Sequence, residues 1–356
     1  MRWDIFCHIV DNYGDAGICW RLARSLTSLH QQEVRIFCDD LPTLNLLASG
    51  VDQSIRDKID LQPWEASEHI PRDFPQAPDV VIEAFGCTLP ERYLTSLIIA
   101  PKKPLIINLE YLSAEPWVVD FHGKASPQAH GIPKYFFFPG FQENTGGLLL
   151  DPVPAVSTQT GELIPQSVQS TWQQLRPNTK RISLFCYPGA PLAKWLQDLG
   201  GTGQNVDVIL TYGLREQLNL TLRDPALIPP QIQLVSMPFV SQDDYDWVLG
   251  QCDFNIVRGE DSFLRAQLAG KPFIWHIYPQ ADQAHEVKLQ AFLDLYLALA
   301  DDNLQTSCNQ AMSWAMPSEW IGGLDSWTEH AKTWRTQLLG SQADGGLAAR
   351  LMAFVA

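Results

Sequence analysis

Phe254-Asn255-Ile256-Val257-Arg258-Gly259-Glu260-Asp261-Ser262-Phe263-Leu264-Arg265-Ala266 is the stretch that decides the fold. Its first four residues form an apolar run of strand type, and the segment that follows the turn has helical spacing. A buried strand therefore ends in a turn carrying an arginine, a glycine, two acids and a serine at a helix start. Such a start presents free backbone N–H groups and a partial positive charge, which suits phosphate. The acids can grip sugar hydroxyls or a cation. Arg258, at the end of a buried strand, needs an anionic partner, and a diphosphate is one. The combination predicts a nucleotide-sugar site. The competing structural account is an ordinary helix capped by Ser262 or Asp261.

Working outward, the second half repeats this pattern. Arg181–Cys186, Val206–Leu210, Ile232–Ser236 and Pro272–Trp275 read as further strands, with helices between them such as Leu192–Leu199 and Ser241–Cys252. The first half alternates in the same way, with strands at Trp3–Val10, Val34–Cys38, Val80–Phe85 and Leu105–Leu109. Gly17–Leu29 and Leu44–Ala48 read as helices between them. Strands separated by helices imply βαβ units and parallel sheets. From about Pro133 to Gln166 the rhythm breaks into Pro, Gly, Thr and Asn, which predicts loops leading to an interdomain linker. Gly200-Gly201-Thr202-Gly203 reads as a surface loop, and the tail from Trp314 to Val355 as helices. The expected fold is α/β, with two Rossmann-like domains and a helical tail. That layout resembles the GT-B glycosyltransferase architecture, whose ligand is expected in the cleft between facing domains.

The bulk numbers bound this reading. A chain of 356 residues exceeds what one core usually holds. Its formal charge of −15 argues against non-specific binding to nucleic acid or to an anionic membrane. No apolar run approaches membrane-spanning length, and the segment from Met1 has no signal-peptide layout. Seven cysteines without CxxC spacing fit a reducing, cytoplasmic setting. No metal constellation, GxxxxGK[ST], GxGxxG or GxSxG motif is present.

Four more constellations carry chemistry. Asp11-Asn12-Tyr13-Gly14-Asp15 follows the first strand. It reads either as turn residues with Asp15 capping the helix, or as a carboxylate pair serving as base or cation clamp. Phe185-Cys186-Tyr187-Pro188-Gly189 lies in a loop that faces the ligand crevice of a doubly wound domain. Alternatively Phe185 is simply core. Phe239 follows a strand and precedes a helix capped by Ser241, with Asp244 three residues on. A base could stack on Phe239 and be read by Gln242, or the segment is a hydrophobic staple. Tyr278 and Gln280, after the last strand, could complete the pocket. His276 is read as structural.

Taken together these segments resemble the bacterial protein-arginine rhamnosyltransferase family that modifies elongation factor P, named EarP. The likeness is carried by Asp11-Asn12-Tyr13-Gly14-Asp15 with Trp20-Arg21-Leu22-Ala23-Arg24, by Phe185-Cys186-Tyr187, and by Pro238-Phe239 with Gln242-Asp243-Asp244-Tyr245. It continues in Arg258-Gly259-Glu260-Asp261-Ser262-Phe263 and Trp275-His276-Ile277-Tyr278-Pro279-Gln280, in order along nearly the whole chain. The resemblance implies an inverting, metal-independent GT-B enzyme without a cofactor. The donor would be dTDP-β-L-rhamnose. The acceptor would be an arginine of elongation factor P, which the modification activates to relieve ribosome stalling.

By the same resemblance residues 1–160 form the acceptor domain and 161–330 the donor domain. Residues 331–356 form a C-terminal helix that can pack back on the first domain. Phe185, Tyr187, Phe239, Gln242, Tyr245, Arg258, Asp261, Ser262 and Tyr278 would line the donor pocket. Tyr245 stands where relatives can carry phenylalanine. Asp11, Asp15 and Glu260 would form the catalytic centre, with Asp15 the favoured base. The alternatives are a GT-B transferase with another sugar or acceptor, and a non-catalytic sugar-nucleotide-binding module. Three retained acids argue against the second.

Overall fold

Apolar runs at helix and strand periods build two doubly wound sheets, seen in a computed structural model that describes residues 1–10, 13–70, 77–150, 164–216, 228–280, 283–316, 320 and 324–356. Two compact units result: Met1–Val153 with Leu339–Ala356, and Pro154–Leu338. No described helix is long and apolar enough to cross a membrane.

In the first unit six parallel strands run β1 (Arg2–Cys7), β2 (Glu33–Cys38), β3 (Ile59–Pro63), β4 (Val80–Ala84), β5 (Leu105–Leu109) and β6 (Lys134–Phe137). Their order in the sheet is β3-β2-β1-β4-β5-β6. The chain winds outward from β1 to one side, then returns to start β4 on the other. The carboxyl ends of β1 and β4 thus flank the switch point, where such sheets bind ligands. Trp3, Ile5, Phe6 and Cys7 in β1 are wholly buried, as both faces of a parallel sheet require. Asp4 sits among them with no exposure. Its carboxylate accepts from Arg35 at 3.0 and 2.6 Å and from the Tyr93 hydroxyl at 2.5 Å, so the charge is matched.

The second unit has five parallel strands: β7 (Lys180–Leu184), β8 (Val206–Leu210), β9 (Ile232–Ser236), β10 (Phe254–Arg258) and β11 (Phe273–His276). They lie in the order β11-β10-β7-β8-β9, so β7 and β10 flank its switch point. Asp246 and Arg265, both buried, pair at 3.0 and 2.7 Å and tie the helices Gln242–Gln251 and Asp261–Leu268 together.

Three readings need correction. Lys134–Phe137 is a strand, where loops were expected from Pro133. It is a four-residue strand at the end of the sheet order, and the Pro- and Gly-rich residues around it mask its period. The chain from Gly123 covers its outer edge, with Phe136 N donating to Lys124 O at 3.0 Å and Ser126 N to Lys134 O at 2.7 Å. Gly200 and Gly201 are not surface loop but the last turn of the helix Leu192–Gly201. A Cβ on Gly200 would lie 2.3 Å from Pro229, so the glycine serves close packing. Neither Ser262 nor Asp261 caps its helix. Glu260 holds the cap position without a side-chain capping bond, and Ser262 Oγ turns back to donate to Arg258 O. Ser241 does cap its helix, accepting from Asp244 N.

The C-terminal segment completes the first unit. Leu347 N donates to Leu148 O at 2.8 Å and Leu148 N to Gln342 Oε1 at 3.0 Å. Gly346 has φ +65°, and a Cβ there would lie 2.3 Å from Leu148 O, so only glycine permits this approach. The Phe354 ring sits edge-on to Tyr135 and Phe137 at 5.4 and 5.5 Å.

Candidate active site

Each unit presents one group of chemistry-bearing residues at its own switch point. In the second unit β10 delivers Arg258 to the carboxyl edge of the sheet beside the loop that follows β7. The guanidinium lies over the Phe185 ring at 4.3 Å and the Tyr187 ring at 4.8 Å, and donates to Cys186 O at 3.3 Å. Ring faces hold a cation through their quadrupole without neutralising it. Among the described residues no carboxylate pairs with Arg258. The side chain is half-buried, so it offers its charge to an anion in a partly desolvated place.

Neighbours fix this arrangement. Tyr187 N donates to His276 Nδ1 at 3.1 Å, and the Tyr187 ring meets His276 and Tyr278 edge-on at 5.4 and 5.2 Å. An Nδ1 that accepts places the proton of a neutral imidazole on Nε2. Burial first, and the Arg258 charge second, push the His276 pKa down to about 4. Burial raises the Cys186 thiol to about 12, with Arg258 pulling weakly the other way. Trp275 stacks on Phe263 at 3.7 Å and donates from its indole to Gly259 O at 3.0 Å, bracing the turn from below.

Phe185, Tyr187, Arg258 and Tyr278 form one connected group, joined by Tyr245, whose ring is edge-on to Phe185 at 6.1 Å. The Tyr245 hydroxyl is closed off from solvent, and burial raises its pKa. Gln242 and Asp261 form a second group, the amide donating to the carboxylate at 2.9 Å. Phe239 meets Tyr212 edge-on at 5.9 Å. Ser262 is buried and occupied by Arg258 O. Glu260 is half-buried beside them.

In the first unit Asp15 lies in the first turn of the helix Tyr13–Ser28, 2% exposed. Its carboxylate accepts from Val10 N at 2.8 Å, reaching back to the chain leaving β1. His8 and Asp39 meet at 2.6 Å at the same end of the sheet. Asp11 lies outside the described residues. Asp15 therefore belongs to one unit and Glu260 to the other.

His276 has the structural role read for it: its ring nitrogen holds the backbone of Tyr187. One residue beside the site escaped the sequence reading. Tyr212, 58% exposed at the end of β8, was not singled out. An aromatic directly after a buried strand is the signal that would have found it.

Comparison with known proteins gives a consistent picture. Residues 3–356 match the family described as the elongation factor P (EF-P) rhamnosyltransferase EarP. A protein-arginine rhamnosyltransferase of Pseudomonas putida is 40% identical, the alignment covering 93% of each chain. One from Pseudomonas aeruginosa is 37% identical over 99% of this chain and 98% of its own. A solved structure described as the structural basis for EarP-mediated arginine glycosylation of translation elongation factor EF-P aligns over 99% of this chain and 98% of its own, with TM-score 0.63 and 28% identity. A glycosyltransferase from Rickettsia africae shares the fold, with TM-score 0.58 and 10% identity over 99% of this chain and 96% of its own. The chain belongs to the EarP family of protein-arginine rhamnosyltransferases, and its fold is the GT-B fold of glycosyltransferases.

Proposed function

We propose that this family member moves L-rhamnose from dTDP-β-L-rhamnose to one arginine side chain of elongation factor P, with inversion and without a metal or cofactor, in the cytoplasm. The observation that carries the donor half is Arg258, held against two ring faces at a switch point and, among the described residues, paired with no carboxylate. A diphosphate is the anion such a site suits. The acceptor is supported by the solved relative, described with EF-P as the protein glycosylated on arginine.

In the proposed step a guanidinium nitrogen attacks C1 of the rhamnose. The C1–O bond to the diphosphate breaks, and dTDP leaves with the bonding pair. Attack opposite the leaving group turns the β donor into an α-linked product. An arginine holds its proton with a pKa above about 12, so a carboxylate does not remove it beforehand. Asp15, with Asp11 and Glu260, instead orients the guanidinium by charge-assisted hydrogen bonds. It accepts the proton as the C–N bond forms and the nitrogen becomes acidic. On the donor side, Arg258 and the N-terminus of the helix Asp261–Leu268 stabilise the charge that builds on dTDP. Phe185, Tyr187, Tyr245 and Tyr278 wall the sugar diphosphate, and Gln242, Asp261 and Ser262 offer polar contacts. Phe239 stacks on the thymine.

The test is direct. Elongation factor P incubated with the protein and dTDP-rhamnose should gain the mass of one rhamnosyl group by intact-mass spectrometry. An acceptor of unchanged mass overturns the reading.

A further inference from the structure

In the first unit β4 ends in a tight turn whose residues are unusual for their backbone. Cys87 N donates to Ala84 O at 3.2 Å, and the two central residues, Phe85 and Gly86, have φ of +58° and +71°. Positive φ at both central positions is the type I′ pattern, which favours Asn-Gly. Gly86 meets that demand freely. A bulky residue such as Phe85 rarely takes it. Its amide is fixed by Leu109 O at 2.7 Å, and its ring stacks on Tyr111, centroids 4.5 Å apart and 17° from parallel. Both rings are half-buried, so the pair is not closed inside the core.

The position of this turn matters. β4 is the neighbour of β1 across the switch point, with Phe6 opposite Glu83. Cys87 Sγ lies 3.3 Å from Phe6 O, so the turn leans on the end of β1. Asp15 accepts from Val10 N just beyond that same end. The carboxyl edge of this sheet thus holds a buried carboxylate on the helix that follows β1 and a stacked, half-buried ring pair whose members follow β4 and β5. An outlier of this kind, held by its surroundings at a ligand crevice, is a marker of function.

We infer that Phe85 and Tyr111 are the platform on which the acceptor guanidinium lies while Asp15 receives its proton. The inference rests on the arginine-acceptor reading given above. A guanidinium is planar and weakly hydrated, and it stacks on aromatic faces. The rings fix the plane of the group, and the carboxylate fixes its rotation within that plane. A neutral π surface holds the cation without adding a further full charge to those of the carboxylates, which leaves the attacking nitrogen free to lose its proton.

The experiment measures transfer of rhamnose to elongation factor P by the whole protein and by Phe85→Asn, Tyr111→Leu and Tyr111→Phe. Asparagine suits the left-handed turn, so Phe85→Asn keeps the backbone while removing the ring. Phe85→Asn and Tyr111→Leu should each raise KM for elongation factor P by about 3- to 30-fold, the range spanned by exposed and desolvated cation–π contacts. KM for dTDP-rhamnose and the unfolding midpoint should stay at wild-type values, and Tyr111→Phe should restore acceptor use. Wild-type acceptor KM in both ring-deleted variants overturns the platform. So does a rise in both substrates' KM that tracks a lowered unfolding midpoint, because that is the mark of packing alone. If the unaltered protein adds no rhamnose, the arginine reading itself fails in that first arm, and the platform falls with it.

Discussion

The loop after β1 in the first unit carries Asp15, and the turn after β4 carries an aromatic ring, Phe85. In the second unit the loop after β7 carries the aromatic rings Phe185 and Tyr187, and β10 ends in a cation, Arg258. Read from the other edge, the second sheet has the order β9-β8-β7-β10-β11, the same winding as β3-β2-β1-β4-β5. Even the turn glycines correspond, Gly86 and Gly259 having φ of +71° and +64°. The scaffold is thus repeated while the chemistry at its switch point changes sign. One switch point carries the buried carboxylate of Asp15, and the other the Arg258 guanidinium on its ring faces. Winding tells where a ligand binds, and the charge placed there tells which ligand.

That contrast can be broken most forcefully at the acid. Asp15→Asn should lower kcat by about 10²- to 10⁴-fold, the usual worth of a positioned proton acceptor, in steady-state transfer assays. Affinity for dTDP-rhamnose by calorimetry should not change, and its loss would show that the units do not divide the substrates. Next in size is the cation. For Arg258→Ala the expected outcome is a dTDP Kd raised by about 10- to 100-fold, the range for hydrogen bonds to charged groups. Unchanged dTDP affinity would remove Arg258 from the phosphate site.

Smaller is the one respect in which the units should behave alike. His122 accepts from Phe138 N at 3.1 Å, as His276 accepts from Tyr187 N, and burial lowers both pKa values to about 4. Both lie below the ordinary histidine value of about 6.5. The unfolded chain therefore binds more protons between those limits. Stability is full above about pH 6.5 and falls as pH drops toward 4, by on the order of 1–2 kcal/mol per histidine once solvent screening of these half-buried rings is allowed for. Denaturant melts of the wild type, His122→Asn and His276→Asn across that window measure it, and a flat difference would contradict the burial.

The smallest effect separates the units again. Arg258 depresses His276, and Arg350 depresses His122. A bound diphosphate should offset the Arg258 charge and raise the His276 pKa by about a unit or less, because burial remains the larger cause. NMR titration with and without dTDP would show it. A shift at His122 instead would place the anion in the wrong unit.

Buried strands were legible in the sequence because both faces demand apolar residues: Val206–Leu210, buried along its whole length, is a strand over the residues expected, as is the more exposed Ile232–Ser236. Ile59–Pro63 and Lys134–Phe137 are short and half-exposed at the two ends of their sheet order; the first has only Ile59 and Leu61 as apolar positions before Pro63, and the aromatics of the second lie between Pro133 and Pro139, so neither stands out. At the site, residue types at strand ends brought out Phe185, Tyr187 and Arg258, which the fold places in contact. What local pattern does not encode is pairing across the chain. The bond from Tyr187 to His276 joins residues 89 apart. The left-handed backbone of Phe85 is equally silent, because it comes from the turn that Leu109 helps to fix and not from any preference of phenylalanine.

The seating of Leu148 against Leu347 and Gln342 also orders the making of the protein. As a ribosome extrudes the chain, the unit that emerges first is the last to be finished, because residues 339–356 belong to it. The second unit is contiguous and can close while the first still waits for its final helix. A premature stop after Leu338 would therefore keep the residues of the second unit, trim the last turn of the helix Asp325–Ser341, and leave the first unit unfinished.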